Sequence, residues 1–378
     1  MGGRIKLGFL CPIPPDRIGL INYIKRFQEL SKSNLFDLYV LTNSRNFAPI
    51  NNVRMINIKG DLIFPLRLMS SIIHEKLEIL DIQYFYGLYG ELGKGSMRYL
   101  FSALNMFLIL LLSRIFNTST VLTMHSVIND ISKESIIDEI KSRNDLNFFL
   151  RLFNSMVGFF TDKVVVLSAF QFEEIRKYVN SSKIQMIPHG FDDKKPPEKK
   201  EHSGFTFLFF GLIRPNKGVL DLLISFDLLP KIMNKMDNSF LLIRIGDSHR
   251  IVNKFKNKNF LCIPKVNNNI YHLFFNAANV VLMTSFVEGF GIPVIQAINS
   301  KVPLLLTNIQ IFKEIVGNYK YYLNPYDVDD WINKILEIRE KSSDSLFSTQ
   351  LYSNISDYYR RERAMGEYVK LYKQIGFI

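Results

Sequence analysis

The sequence predicts an α/β protein of two Rossmann-like, doubly wound parallel-sheet domains, and three observations carry that expectation. Its 378 residues exceed the roughly 250–300 at which a single hydrophobic core stops growing. Short apolar runs alternate with helical patterns, and the runs are near-continuously hydrophobic, as in strands covered on both faces. The rhythm breaks once, at the polar, proline-containing stretch 191–203, and then restarts. The expected division is a domain over 1–188, a linker over 189–204, a second domain over 205–354, and a C-terminal helix over 355–378 able to pack on either domain, including back on the first. Two such domains are expected to face each other across a cleft, because open α/β sheets bind ligands beyond the carboxyl ends of their strands.

In the first series the predicted strands are Ile5–Leu10, Leu38–Thr42, Val53–Ile58, Ile82–Tyr86, Thr120–Met124, Lys163–Leu167 and Lys183–Ile187. In the second they are Phe205–Phe210, Phe240–Ile245, Phe260–Ile263, Val280–Met283, Pro303–Leu306 and Tyr321–Leu323. Amphipathic segments such as Leu20–Leu30 and Phe170–Tyr178 lie between, and Ser356–Tyr372 reads as a charged amphipathic helix. The uncharged run between Arg98 and Arg114 falls short of the about 20 residues that a membrane span needs. It reads as a helix buried against a sheet. Asp327-Val328-Asp329 reads as a helix start, where carboxylates cap free N–H groups and answer the helix dipole.

Composition removes several classes. Two cysteines, Cys11 and Cys262, with six histidines, make neither a disulfide framework nor a zinc ribbon. Residues 90–96, GELGKGS, lack the glycine spacing of a phosphate-binding P-loop. The net charge of +12 is shared by both halves of the chain rather than gathered in a basic tail. It lacks the aromatic-interleaved stripe of a nucleic-acid binder, so no nucleic-acid partner is expected. The N-terminus shows no signal-peptide pattern, and a cytoplasmic location is expected.

Two segments carry chemistry. After Phe205–Phe210 comes GLIRPNKG (211–218), where Arg214 and Lys217 would set a guanidinium and an ammonium at a strand's carboxyl edge, a pairing suited to a diphosphate. After Val280–Met283 comes TSFVEGFGIPVIQA (284–297). There Gly289 and Gly291 let backbone approach a ligand, and Pro293 fits the first turn of a helix aimed at it. Glu288 is placed to accept hydrogen bonds from hydroxyl groups, and Gln296 can both donate and accept.

With these motifs in this order, followed by Pro303–Thr307 and LNPYD (323–327), the sequence resembles the GT-B glycosyltransferases, specifically glycosyltransferase family 4. The likeness is weaker over the first half, in CPIPPDRIG (11–19), Thr123-Met124-His125, Val164–Ser168 and Ile187–Asp192. It implies a retaining transferase that moves a sugar from a nucleotide diphosphate sugar, UDP- or GDP-linked, to a glycan, lipid or lipid-linked acceptor. The first domain would serve the acceptor and the second the donor nucleotide. Arg214 and Lys217 would neutralise the diphosphate, Glu288 would hold donor-sugar hydroxyls, and Gly289, Phe290 and Gly291 would offer backbone to sugar and phosphate. Gln296 would hold ribose hydroxyls, His125 would lie near the reacting sugar, and Gly19 would approach the diphosphate. No metal is expected if Arg214 and Lys217 neutralise the leaving group.

Three positions depart from the family pattern: Gln296 replaces a glutamate, Ile18-Gly19 replaces a glycine pair, and Lys301 stands where glycine usually follows the helix. The first two keep open a non-catalytic GT-B subunit that binds sugar nucleotide or a partner transferase. The mixed aromatic and basic segment 147–160 reads either as a core helix or as an interfacial helix, giving peripheral contact with an anionic membrane. His189 is expected to serve linker geometry, and the remaining histidines to be surface or structural.

Overall fold

A computed structural model describes residues 4–11, 29–42, 51–58, 63–84, 96–125, 143–191, 205–210, 240–245, 260–263, 271–285, 288–324, 327–340, 355 and 357–376. The chain divides into two compact units, Met1–Gly190 with Glu362–Ile378, and Phe191–Arg361.

The first unit is built on a seven-stranded sheet, entirely parallel, from β1 (Ile5–Leu10), β2 (Phe36–Thr42), β3 (Val53–Asn57), β4 (Ile79–Tyr84), β5 (Ser119–Met124), β6 (Lys163–Val166) and β7 (Ile184–Met186). Their order is β3-β2-β1-β4-β5-β6-β7, the doubly wound pattern in which strand order reverses beside β1. All six residues of β4 are buried, which explains why the central strands read as apolar runs: both faces are covered. On one face α1 (Phe64–Glu75), α2 (Ser96–Ile115) and α3 (Arg143–Phe160) pack Leu68, Ile72, Met106, Ile109, Phe153 and Val157 against Leu80, Ile82 and Met124. The run between Arg98 and Arg114 therefore lies in α2. No helix among the described residues is long and apolar enough to cross a membrane. A further helix, α4 (Ala169–Ile175), is capped by Ser168, whose hydroxyl accepts from the Gln171 N–H.

The opposite face is covered by the C-terminal helix, which we label α9 (Arg361–Gly376). Its residues Met365, Tyr368, Tyr372 and Ile375 recur at helical spacing and pack with Phe9, Val40, Ile79 and Val121. The sequence predicts one helix over 356–372; residues 355, 357 and 358 are helical, and the helix is broken at 359–360 before α9 begins. Arg360 instead forms a parallel bridge with Phe191, and the Phe191 N–H donates to the Tyr359 carbonyl at 2.9 Å, which interrupts helical pairing there.

The strand expected over Ile82–Tyr86 begins three residues earlier, at Ile79. The added residues include Asp81, a carboxylate that is costly to bury in a central strand. Here Asp81 and Gln83 are both fully buried within the strand.

The second unit repeats the pattern with six parallel strands: β8 (Phe205–Phe210), β9 (Phe240–Ile245), β10 (Phe260–Ile263), β11 (Val280–Met283), β12 (Leu304–Thr307) and β13 (Tyr322–Leu323). The order is β10-β9-β8-β11-β12-β13. Its described helices are α5 (Tyr271–Ala277), α6 (Ile292–Asn299), α7 (Gln310–Val316) and α8 (Val328–Glu340). The last begins as the carboxylates predict: the Asp330 N–H donates to Asp327 Oδ1 at 3.0 Å, an N-cap bond.

Candidate functional site

The second unit's candidate residues lie where β11 runs out of the sheet. Thr284 and Ser285, just past the strand, are buried. The Ser285 hydroxyl donates to Glu288 Oε2 at 3.0 Å, and the Thr307 hydroxyl, at the end of β12, donates to the Ser285 carbonyl at 2.5 Å. The ends of two neighbouring strands thus fix the turn, and the turn holds the half-buried Glu288 carboxylate. Phe290 is buried and stands edge-on to Tyr359, with ring centroids 5.5 Å apart.

Gly291 then takes φ 89°, ψ 43°, as the N-cap of α6, with Pro293 in the first turn. Only glycine adopts this conformation without strain. The first N–H groups of a helix have no partner within it, and they carry the positive end of its dipole. Gln296, one turn in, is half-buried. This arrangement can accept hydroxyl protons at Glu288 and meet an anion at the helix start.

The same helix ends in a Schellman motif. Lys301 has φ 53°, its N–H donates to the Ile298 carbonyl at 2.9 Å, and the Val302 N–H donates to the Ala297 carbonyl at 2.8 Å. The position therefore requires φ > 0, and lysine occupies it.

The first unit supplies a separate group. His125 follows β5 and is buried; its N–H donates to the Tyr84 carbonyl at 3.0 Å. Nε2 lies 3.0 Å from Gln83 Oε1, and Gln83 Nε2 donates to Asp81 Oδ1 at 2.5 Å. Tyr372 of α9 donates its hydroxyl to Asp81 Oδ2. The His189 ring stacks on His125 at 5.3 Å between centroids and 19° between planes. Burial, and then the neighbouring His189, push the His125 pKa well below the ordinary histidine value, so it is neutral at physiological pH.

Reading the sequence alone gave His189 to linker geometry; it is instead the ring against His125. Asp81, Gln83 and Tyr372 were missed altogether. The available signal was a pair of polar residues at alternate positions of a central strand, which places both on one face. Arg214, Lys217 and Gly19 lie outside the described residues. Among the described residues, no group of three or more His, Cys, Asp or Glu could hold a metal ion.

Two all-parallel, doubly wound sheets in one chain define the class: the fold is that of the GT-B glycosyltransferases. The chain resembles sucrose-phosphate synthase from Thermosynechococcus elongatus with a TM-score of 0.77, at 14% identity over 98% of this chain and 99% of that one. It also resembles WaaG, a glycosyltransferase involved in lipopolysaccharide biosynthesis, with a TM-score of 0.68, 14% identity, and 95% and 98% of the two chains covered. At these identities the likeness is one of fold.

In sequence, residues 190–360 match the glycosyl transferases group 1 family. The O-antigen chain mannosyltransferase RfbU of Salmonella typhimurium is 25% identical over 196 residues, half of this chain and 54% of RfbU. The chain thus spans about half the length of that relative. The serotype-specific mannosyltransferase WbdA of Escherichia coli is 26% identical over 140 residues, which span 34% of this chain and 17% of WbdA.

Proposed function

We propose that this protein is a retaining transferase that moves a mannosyl group from a nucleotide diphosphate sugar to a glycan or lipid-linked glycan. The observation that carries the reading is the turn between β11 and α6, in which Ser285 holds Glu288 beside a helix start entered through a left-handed Gly291. The mannosyl group is taken from the relatives RfbU and WbdA, both mannosyltransferases by name.

In this reading Glu288 accepts hydrogen bonds from donor-sugar hydroxyls, and Gly289, Phe290 and Gly291 bring backbone to the sugar and phosphate. Gln296 pairs with ribose hydroxyls, Gly19 approaches the diphosphate, and His125 lies near the reacting sugar. Breaking the bond to the leaving nucleotide builds negative charge on its phosphate. Arg214 and Lys217 meet that charge without a metal, and preorganised cations of this kind are the largest electrostatic contribution to such a step. Attack on the same face as departure, assisted by the leaving phosphate, retains the anomeric configuration.

Peripheral membrane contact belongs to the same proposal. Leu104 and Leu108 of α2, Ile115 and Phe116 at its end, and Leu152 and Phe159 of α3 are exposed. The Arg114 guanidinium lies 5.3 Å over the Phe159 ring. Apolar side chains beside a cation suit an anionic lipid surface. Sedimentation with anionic liposomes at low salt is expected to carry the protein down, and a wholly unbound protein would remove this part.

The function is tested by incubating the full chain with GDP-mannose, UDP-glucose and other nucleotide sugars, with a lipid-linked glycan as acceptor, and following nucleotide release. Turnover is expected with a mannosyl donor, to persist with EDTA, and to be lost in Lys217→Ala and Glu288→Ala. Preserved turnover in both variants would sink the site assignment. No turnover with any donor, despite nucleotide-sugar binding, would favour the non-catalytic subunit that Gln296 keeps in view.

A further inference from the structure

Asp81, Gln83, Thr123 and His125 share one face of the first sheet. Residues two apart on a strand point the same way, and the β4–β5 register sets Gln83 beside Thr123. α9 packs against that face through Tyr368 and Tyr372. The polar groups form a chain with a defined direction. A carboxylate oxygen accepts and cannot donate. Asp81 Oδ1 therefore takes the Gln83 Nε2 proton across 2.5 Å, while the Thr123 hydroxyl reaches the same oxygen at 3.5 Å and Tyr372 donates to Oδ2.

With its amide nitrogen committed to Asp81, Gln83 turns its carbonyl oxygen to His125. That oxygen accepts only, so the atom facing it 3.0 Å away, His125 Nε2, must carry the proton. The other ring nitrogen, Nδ1, is then the one with the lone pair.

We propose that Asp81, Gln83 and Tyr372 are positioning residues that lock His125 as the Nε2-protonated tautomer, making the C-terminal helix a working part of the histidine's site. The inference rests on the reading that places His125 near the reacting sugar, and it sharpens that reading. A histidine locked this way offers Nδ1 as an acceptor, so it pairs with a sugar hydroxyl and not with a phosphate oxygen, which has no proton to give. The buried Asp81 also gains a reason. A carboxylate at the centre of a sheet is costly to bury, and an apolar residue there would leave the Gln83 amide free to present either end to the histidine. Tyr372 keeps its ring packed edge-on to Phe9 and Phe36, with centroids 6.2 and 6.0 Å away, so Tyr372→Phe removes the hydroxyl with the packing retained.

Two readouts on the full chain decide the matter. In nitrogen-15 side-chain NMR, with His125 assigned by the signal lost in His125→Gln, the wild-type ring is expected as the Nε2-protonated form. Gln83→Met, which keeps the bulk and removes the acceptor, is expected to give a mixture of tautomers. In turnover assays, Gln83→Met and Tyr372→Phe are each expected to lower kcat about tenfold with the donor KM within twofold. Neither is expected to lower it further in a His125→Ala background, whereas a merely structural contribution would remain additive. A wild-type ring that is Nδ1-protonated or mixed, or one unchanged in Gln83→Met, overturns the relay whatever the activity. Wild-type turnover in His125→Ala instead overturns the placement of His125 near the sugar, and the spectra judge the tautomer separately. Melting temperatures of Gln83→Met and Tyr372→Phe guard against unfolding, and Tyr372→Phe with a wild-type melt and wild-type kcat removes α9 from the relay.

Discussion

Gly291 sits so close to Phe312 that a β-carbon built on it would lie 3.1 Å from the Phe312 ring. The same residue holds φ 89° at the start of α6. Two independent constraints therefore disfavour a side chain: the left-handed backbone, and a ring buried beneath it. Gly291→Ala is expected to destabilise the protein by roughly 1–2 kcal/mol from the backbone alone, with a further loss as Phe312 gives way. Urea unfolding measures the total, and a change within experimental error would show that the turn relaxes freely.

Ser285 and Glu288 meet one turn before that glycine. Ser285→Ala leaves the bond from the Thr307 hydroxyl to the Ser285 carbonyl and removes only the hydroxyl that holds the carboxylate. A side-chain hydrogen bond contributes about 1 kcal/mol, so kcat/KM for the donor is expected to fall about fivefold, with the unfolding midpoint little changed. Equal activity in the variant would mean that Glu288 needs no such support.

At the other end of α6, lysine stands in a position built for glycine. Lys301 carries φ 53°, a conformation that costs a non-glycine residue roughly 1 kcal/mol. Lys301→Gly relieves that strain but adds freedom to the unfolded chain. The net expectation is a gain of about 0.5 kcal/mol, read as a rise in the urea midpoint at constant slope. A drop would mean that the lysine side chain contributes a contact worth more than the strain.

How much of this was legible depends on what each residue's neighbours in sequence reveal. The strands of the second unit fall where apolar runs such as Val280–Met283 place them, and the Asp327 cap follows from a local rule. β4 begins earlier than expected, and its buried Asp81 makes sense only once Tyr372, 291 residues further on, is seen to donate to it. A buried polar residue is explained by its partners, and apart from Gln83 on the same strand, the partners of Asp81 and the stacking ring on His125 come from a neighbouring strand, the 187–190 segment and the last helix. Periodicity within a window holds no record of them. The Glu288 turn was legible for the opposite reason, since Ser285, Glu288, Gly291 and Pro293 lie within nine residues.

The depressed His125 pKa makes stability depend on pH in a definite direction. Burial first, and then His189, hold the folded-state value well below the ordinary 6.5, while in the unfolded chain the ring titrates near that ordinary value. Between the two, the unfolded state binds the extra proton, so stability rises with pH and is lost as pH falls through about 6.5. Going from pH 7.5 to 5.5, this single group is expected to remove stability on the order of 1 kcal/mol. His125→Gln can still donate an amide proton to Gln83 but does not titrate. Its urea midpoint is expected to fall less over the same interval, the difference from wild type corresponding to that amount. The groups around the ring are His189, stacked on it, and Asp81, reached through Gln83. Both remain in the variant, so the comparison reads the His125 ring together with its coupling to His189. Parallel pH profiles for the two proteins would show that His125 takes up its proton in the folded state as readily as in the unfolded one.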